Sequence, residues 1–121
     1  MKRILIILAM LMAIAGIQAQ KISHIEATRS WYYVYDDNGK KVHTFSTTQG
    51  EVVAYSDSFY IVKHGSWYYT YDAKGKKLYT FRVSNVGEVL NAAGDTFTSR
   101  KGSWIYTWDK KGKEIATRST H

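Results

Sequence analysis

Apolar and polar positions alternate in three segments of the chain that also resemble one another. They are residues 30–36 (SWYYVYD), 66–72 (SWYYTYD) and 103–109 (SWIYTWD), and each ends in Asp followed by a Gly-Lys pair, at 39–40, 75–76 and 112–113. Alternation with a period of two residues predicts a β-strand with two different faces. Asp and Gly favour a tight turn after the strand, because Asp bonds backbone amides ahead of it and Gly accepts positive φ.

Two further motifs recur between these segments. Gly-Glu-Val-Val at residues 50–53 matches Gly-Glu-Val-Leu at 87–90, and Asp-Ser-Phe at 57–59 matches Asp-Thr-Phe at 95–97. Trp31, Trp67 and Trp104 are 36 and 37 positions apart. A period of this size indicates stacked or ring-arranged units. We predict a single all-β repeat domain over residues 20–121, with units at about 20–46, 47–83 and 84–121.

Each complete unit reads as four short antiparallel strands, which we name a, b, c and d. In the second unit, 51–55 and 59–64 form one hairpin, and 67–71 pairs with 76–83 across the Asp-to-Gly turn. The first unit has c and d within 31–45 and a plausible b at 24–28, with little room for a. The sequence therefore predicts about eleven strands and an unpaired edge in the first unit.

This order of motifs resembles a β-propeller blade. The Gly65-Ser66-Trp67 to Asp72-x-x-Gly75-Lys76 portion also resembles the bacterial WG-type repeat, although Tyr or Ile stands where those repeats carry Gly after the Trp. Propellers generally need four or more blades to close. Three units therefore leave three options: an open stack, a threefold closure like a β-trefoil or β-prism, or a ring completed by a second copy of the chain.

The first residues predict export. Lys2 and Arg3 precede an apolar run over residues 4–17, and Ala19 offers a small residue for cleavage. We predict a signal peptide over residues 1–19 and a secreted or periplasmic mature chain, without a membrane span after cleavage. The chain has no cysteine, so we do not expect a lipoprotein. Removing Lys2 and Arg3 lowers the formal net charge from +7 to +5.

Aromatic side chains are unusually abundant, with 4 Trp, 10 Tyr and 4 Phe. Flat rings with a polar edge stack on sugar rings and hydrogen-bond to their hydroxyls. Alternation puts nine of them on one face of the three c strands, and they are our ligand-binding candidates: Trp31, Tyr33, Tyr35, Trp67, Tyr69, Tyr71, Trp104, Tyr106 and Trp108. The other interpretation is that these side chains form the core between sheets, which the sequence favours for the tryptophans among them.

Lysines cluster at the c–d turns. Equivalent turns of a repeat lie along one edge, so a basic ridge is expected there, with an acidic glycan or anionic envelope polymer as the ligand rather than nucleic acid. The polyanion-binding candidates are Lys40, Lys41, Lys76, Lys77, Lys110, Lys111 and Lys113. The alternative is that these side chains are solvated and protect edge strands.

No residue pattern indicates an enzyme. The four His residues occupy non-equivalent places, and Asp36, Asp72 and Asp109 are single oxygen donors better explained as turn formers. We expect no cofactor and no metal. The leading hypothesis is an exported non-catalytic module that binds carbohydrate or a cell-surface polymer. The alternative is a structural or protein-interaction element of the envelope, with its aromatics buried.

Overall fold

The computed structural model describes residues 21–120, so the predicted signal peptide lies outside the described residues. Within that range the fold is all-β apart from two single helical turns. No helix among residues 21–120 is long and apolar enough to cross a membrane. The elements are β1 (Ile22–Ala27), β2 (Trp31–Asp36), β3 (Lys41–Ser46), a 3-10 turn (Thr47–Gln49), β4 (Glu51–Tyr55), β5 (Tyr60–His64), β6 (Trp67–Tyr71), β7 (Lys77–Arg82), α1 (Val83–Val86), β8 (Glu88–Ala93), β9 (Thr96–Lys101), β10 (Trp104–Asp109) and β11 (Glu114–Ser119).

The strands form three separate antiparallel sheets in chain order. Sheet 1 has the order β1-β2-β3, sheet 2 has β4-β5-β6-β7, and sheet 3 has β8-β9-β10-β11. This confirms the blade-like units of short antiparallel strands, and within residues 21–120 the first unit has three strands where the other two have four. The short α1 was not expected. It connects sheets 2 and 3 and buries Val86.

The c–d turns form as the sequence predicts. The carboxylate of Asp36 accepts bonds from the amides of Asn38 and Lys40, both at 2.9 Å. The carboxylate of Asp72 accepts equivalent bonds from the amides of Lys74 and Lys76, at 3.0 and 2.9 Å. These bonds hold amides that would otherwise lack partners in the turn.

Two hydrophobic clusters hold the sheets face to face. The first joint, between sheets 1 and 2, contains Ile22, Val34, Phe45, Tyr60, Val62 and Ala73. The second joint, between sheets 2 and 3, contains Phe59, Ile61, Tyr68, Phe81, Val86 and Phe97. Neither cluster joins sheet 1 to sheet 3 within residues 21–120, and the stack stays open. A threefold closure like a β-trefoil or β-prism is therefore not the observed arrangement.

Each joint has the same close approach of a turn to an aromatic ring. A methyl group on Gly75 would overlap the ring of His43, and one on Gly112 would overlap the ring of Tyr79. His43 and Tyr79 hold the same place in strand d of successive units, and each contacts the c–d turn of the next unit. The glycines thus allow the sheets to approach as well as supplying positive φ.

Candidate functional site

On each c strand, the aromatic candidates form a row that we call an aromatic column. Each column faces the sheet that precedes its own sheet in the chain, and this neighbour differs among the three. In sheets 2 and 3 that face lies in a joint, where Tyr60 is directly opposite Tyr71 and Phe97 is opposite Trp108. Among residues 21–120 no sheet precedes sheet 1, and the opposite face of sheet 1 carries Val34 and Phe45 in the first joint. The column of sheet 1 therefore lies on the outer end of the stack, a surface that we call the outer aromatic face.

The outer aromatic face combines flat rings with polar neighbours. Trp31, Tyr33 and Tyr35 occupy alternate positions of β2, and β1 places Glu26 opposite Tyr33 and His24 opposite Tyr35. The His24 ring stacks on Tyr35 at a centroid distance of 4.7 Å and an interplanar angle of 10°. Alternate residues of a strand are about 6.8 Å apart, so the three rings span roughly 13 Å.

The first tryptophan of each c strand is exposed. Trp31, Trp67 and Trp104 keep 47%, 37% and 49% of their surface accessible. They lie at the equivalent end of the three sheets, and we call this set the tryptophan rim. The sequence favoured a buried core position for the tryptophans. That interpretation is wrong for these three side chains, which are exposed. Stacked sheets pack about 10 Å apart, which sets the approximate spacing between neighbouring rim residues.

Cations cover some rings of these columns and leave others open. The Nζ of Lys41 lies 4.4 Å from the centroid of the Tyr33 ring, and the Nζ of Lys77 lies 4.9 Å from that of Tyr69. The guanidinium of Arg82 lies 5.1 Å from the centroid of the Trp67 ring. Such cation–π contacts stabilise the ring positions and occupy a face that a ligand could use.

Trp31 and Trp104 are less covered than Trp67. The strand d residue opposite Trp67 is Arg82, whereas Ser46 is opposite Trp31 and Ser119 is opposite Trp104. A serine is too short to extend over an indole ring. Trp31 and Trp104 are therefore the members of the tryptophan rim best placed for stacking against a ligand.

The last aromatic residue of the column in sheet 2 and in sheet 3 packs inside a joint. Tyr71 stacks on the buried Tyr60 at 5.2 Å, and Trp108 packs edge-on against Phe81 at 5.7 Å. The indole Nε1 of Trp108 donates a hydrogen bond of 2.9 Å to Ser99. Tyr71 and Trp108 are thus held in the joints, whereas Trp67 and Trp104 at the start of the same strands are exposed.

Burial changes the acidity of the tyrosines in the joints. Desolvation raises the pKa of Tyr60 well above its usual range, and the neighbouring Tyr71 and Asp72 add to the effect. Burial also raises the pKa values of Tyr68 and Tyr71. These hydroxyls stay protonated over the physiological range. The Tyr68 hydroxyl uses its proton in a 2.7 Å bond to the carbonyl oxygen of Gly87.

Some of the turn lysines contact an aromatic ring or a carboxylate. Lys41 and Lys77 lie over tyrosine rings, and the Nζ of Lys110 lies 3.0 Å from a carboxylate oxygen of Asp95. The other predicted polyanion ligands have exposed side chains at the c–d turns: Lys40, Lys76, Lys111 and Lys113. The arrangement places at least one exposed lysine beside each turn.

Sequence reasoning missed the residues that flank the columns. His24, Glu26 and Arg82 come next to the aromatic rings through cross-strand register rather than through the repeat motifs. Pairing β1 with β2 from the Thr28-to-Trp31 turn would have revealed His24 and Glu26. Among residues 21–120, no group of three or more His, Asp or Glu side chains could hold a metal ion.

Comparison with known proteins bears on the fold alone. No protein-family model matches the chain, and no curated protein matches it. Among solved structures, the chain is similar to the crystal structure of BamB from Moraxella catarrhalis, with a TM-score of 0.52 and 13% sequence identity. The match covers 86% of this chain and 35% of that one, so the chain spans about a third of its length. BamB is a β-propeller, and the likeness agrees with three propeller-blade-like sheets in an open stack.

Proposed function

We propose that the protein is an exported, non-catalytic module that binds carbohydrate or a related cell-surface polymer. The observation that carries this proposal is the tryptophan rim, in which each of the three sheets exposes one indole at an equivalent position. A ligand stacked on an exposed indole removes apolar surface from water, and the same site repeated three times gives avidity for a repeating polymer.

The size of the outer aromatic face favours an extended ligand over a folded protein. Three strands of six residues present roughly 15 Å by 20 Å, or about 300 Å². A stable protein–protein interface needs about 800 Å² on each partner. A linear chain of sugar rings, in contrast, could follow the row of Trp31, Tyr33 and Tyr35 and use the polar His24 and Lys41 beside them.

The exposed lysines of the c–d turns support a preference for anionic polymers. The formal net charge is +5 once Lys2 and Arg3 are removed with the signal peptide. Screened attraction between such turns and a negatively charged polymer would act over about 8–10 Å at moderate ionic strength. Export through a signal peptide over residues 1–19 and kinship of the blades with WG-type repeats belong to the same proposal, and both rest on the sequence motifs.

The alternative is a structural or protein-interaction element of the envelope. It is favoured by one specific observation, that Tyr71 and Trp108 of the same columns are packed in the joints. In that case the rim tryptophans would be shielded by a protein partner rather than by a sugar.

A glycan array followed by titration calorimetry on residues 20–121 tests the proposal. We expect binding to at least one neutral or acidic glycan, and at least a tenfold weaker affinity when Trp31 and Trp104 are both replaced by Ala. The matched control is Leu90→Ala with Ile115→Ala, which removes two other exposed apolar side chains and should leave the affinity unchanged. Absence of binding across neutral and acidic glycans would falsify the proposal.

A further inference from the structure

The free edge of β1 has an adjacent cleft. Sheets 2 and 3 each have a strand a, and these strands, β4 and β8, contact one another across the second joint. Sheet 1 has no such strand among residues 21–120. A cleft of about 350 Å³ lies between β1 and β4 at the corresponding place, lined by Ile25, Ala27, Tyr32 and residues 51–55.

The backbone of β1 is oriented to accept another strand. The amide of Thr28 donates a 2.8 Å bond to the carbonyl oxygen of Trp31, which closes the hairpin between β1 and β2. Residues of an antiparallel strand point their N–H and C=O groups alternately toward one neighbour and the other. Glu26 therefore points toward β2, while the N–H and C=O groups of Ile25 and Ala27 point to the free edge.

Sheets 2 and 3 show what kind of segment occupies the position next to strand b. In sheets 2 and 3 it is an extended segment of five or six residues, β4 or β8. Each begins with a Glu directly opposite a basic residue of strand b, in the pairs Glu51–Lys63 and Glu88–Arg100. The equivalent residue of β1 is Ala27. The segment that pairs with β1 therefore needs no acidic residue opposite this position.

The lining of the cleft sets the chemistry of the occupant. Its side chains are mainly apolar, and Glu51 is the charged one. An incoming segment would bury apolar side chains at alternate positions against β4.

The space beside β1 and over β4 is one strand wide. The β1 edge of a second copy therefore cannot be the occupant of this space. Antiparallel pairing of two β1 edges puts the inner faces of both sheets 1 on the same side. The second sheets of both copies would then lie on that side too, with β4 of one copy in the space of β5 of the other. A single extended segment meets no such conflict, because β4 alone lies beneath it.

We propose that the free edge of β1 binds an extended polypeptide segment of a partner protein. The segment completes sheet 1 as its fourth strand, antiparallel to β1. It bonds to the outward N–H and C=O groups of Ile25 and Ala27, and its alternate apolar side chains fill the cleft over β4. Strand addition of this kind draws affinity from main-chain hydrogen bonds and specificity from the alternate side chains.

The test uses a capped synthetic peptide with the sequence of residues 50–56 (GEVVAYS), which contains the strand that fills this place in sheet 2. Fluorescence anisotropy of the labelled peptide with residues 20–121 should show saturable binding. The variant Ala27→Pro removes an outward N–H while leaving the β1–β2 bonds intact, so at least a tenfold loss of affinity is expected. Its thermal unfolding reports whether the fold is retained.

A second variant separates strand addition from unspecific apolar binding. Ala27→Lys recreates the opposite-charge pair of the other sheets and should tighten binding of this Glu-containing peptide about two- to fivefold. A peptide with Gln in place of that Glu should lose the gain. Absence of saturable binding, or equal binding by Ala27→Pro and the unaltered protein, overturns the proposal. Self-association that Ala27→Pro abolishes would also overturn it, because the occupant would then be a second copy.

Discussion

The two joints of the stack are built from the same repeat but differ in extent. The second joint includes contact between β4 and β8, the buried Val86 of α1, and hydrogen bonds from Ser56 and Ser58 to the carbonyl oxygen of Gly94 at 2.6 and 2.7 Å. Within the described part of the chain, the first joint has no strand a from sheet 1. In stacked repeats, stability is roughly a sum of units and nearest-neighbour interfaces. The first joint should therefore be the weaker one.

The largest expected difference comes from deleting the aromatic residue at one equivalent position in each joint. Phe81→Ala should lower the free energy of unfolding by about 3–5 kcal/mol, and Phe45→Ala by an amount near the lower end of that range. Phe81 packs against both Phe97 and Trp108, in a joint closed on more sides. Urea unfolding of residues 20–121 measures both values. A larger loss for Phe45→Ala would reverse our ranking of the joints.

The glycines of the c–d turns distinguish backbone strain from joint packing. Gly39, Gly75 and Gly112 have similar positive φ values of 79°, 85° and 104°. An added methyl group meets nothing within 4 Å at Gly39 but overlaps His43 or Tyr79 at the other two. Gly39→Ala should cost about 1–2 kcal/mol for its φ alone, and Gly75→Ala and Gly112→Ala should each cost more. Equal losses at all three positions would mean that the rings move aside freely.

A further hydrogen bond of the second joint is made by a residue that differs at the same position of sheet 1. The Thr70 hydroxyl, which is fully buried, donates a 2.7 Å bond to the carbonyl oxygen of Lys110, whereas sheet 1 has Val34 at this position. Thr70→Val should cost about 1 kcal/mol, because the carbonyl loses a partner while the side chain keeps its shape. Thermal unfolding, with Val34→Thr as the reciprocal variant, measures this contribution. An unchanged melting temperature for Thr70→Val would show that the bond adds nothing to the joint.

The smallest expected difference is a pH dependence confined to the first joint. Burial lowers the pKa of His43 in the folded protein, partly opposed by Asp72, while the unfolded chain keeps a value of about 6.5. Below about pH 6.5 the unfolded state therefore binds the proton more readily, and stability falls until folded His43 is protonated as well. Above that pH the effect is absent.

Replacing His43 by the tyrosine found at the same place in the second joint should remove this component. Urea titrations of His43→Tyr and the unaltered protein at several pH values between 5 and 8 provide the comparison. An identical pH slope in the two proteins would assign the dependence to another group.

Much of the fold could be predicted from local pattern. The alternation in β2, β6 and β10 and the Asp-to-Gly turns follow from residues within a few positions of one another. The candidate site was predictable only in part. The tryptophans were identified as candidates, but their exposure was not, and the flanking His24, Glu26 and Arg82 come from register across strands.

The sequence alone determined which residues share a face, because a strand turns its side chains by a period of two whatever lies beside it. Only the tertiary structure decided what each face meets. Tyr71 and Trp108 are packed because a sheet precedes theirs, and Tyr35 lies on an outer face because no sheet precedes sheet 1 within residues 21–120. Burial depends on sheets that come from other parts of the chain, and no local pattern contains that information.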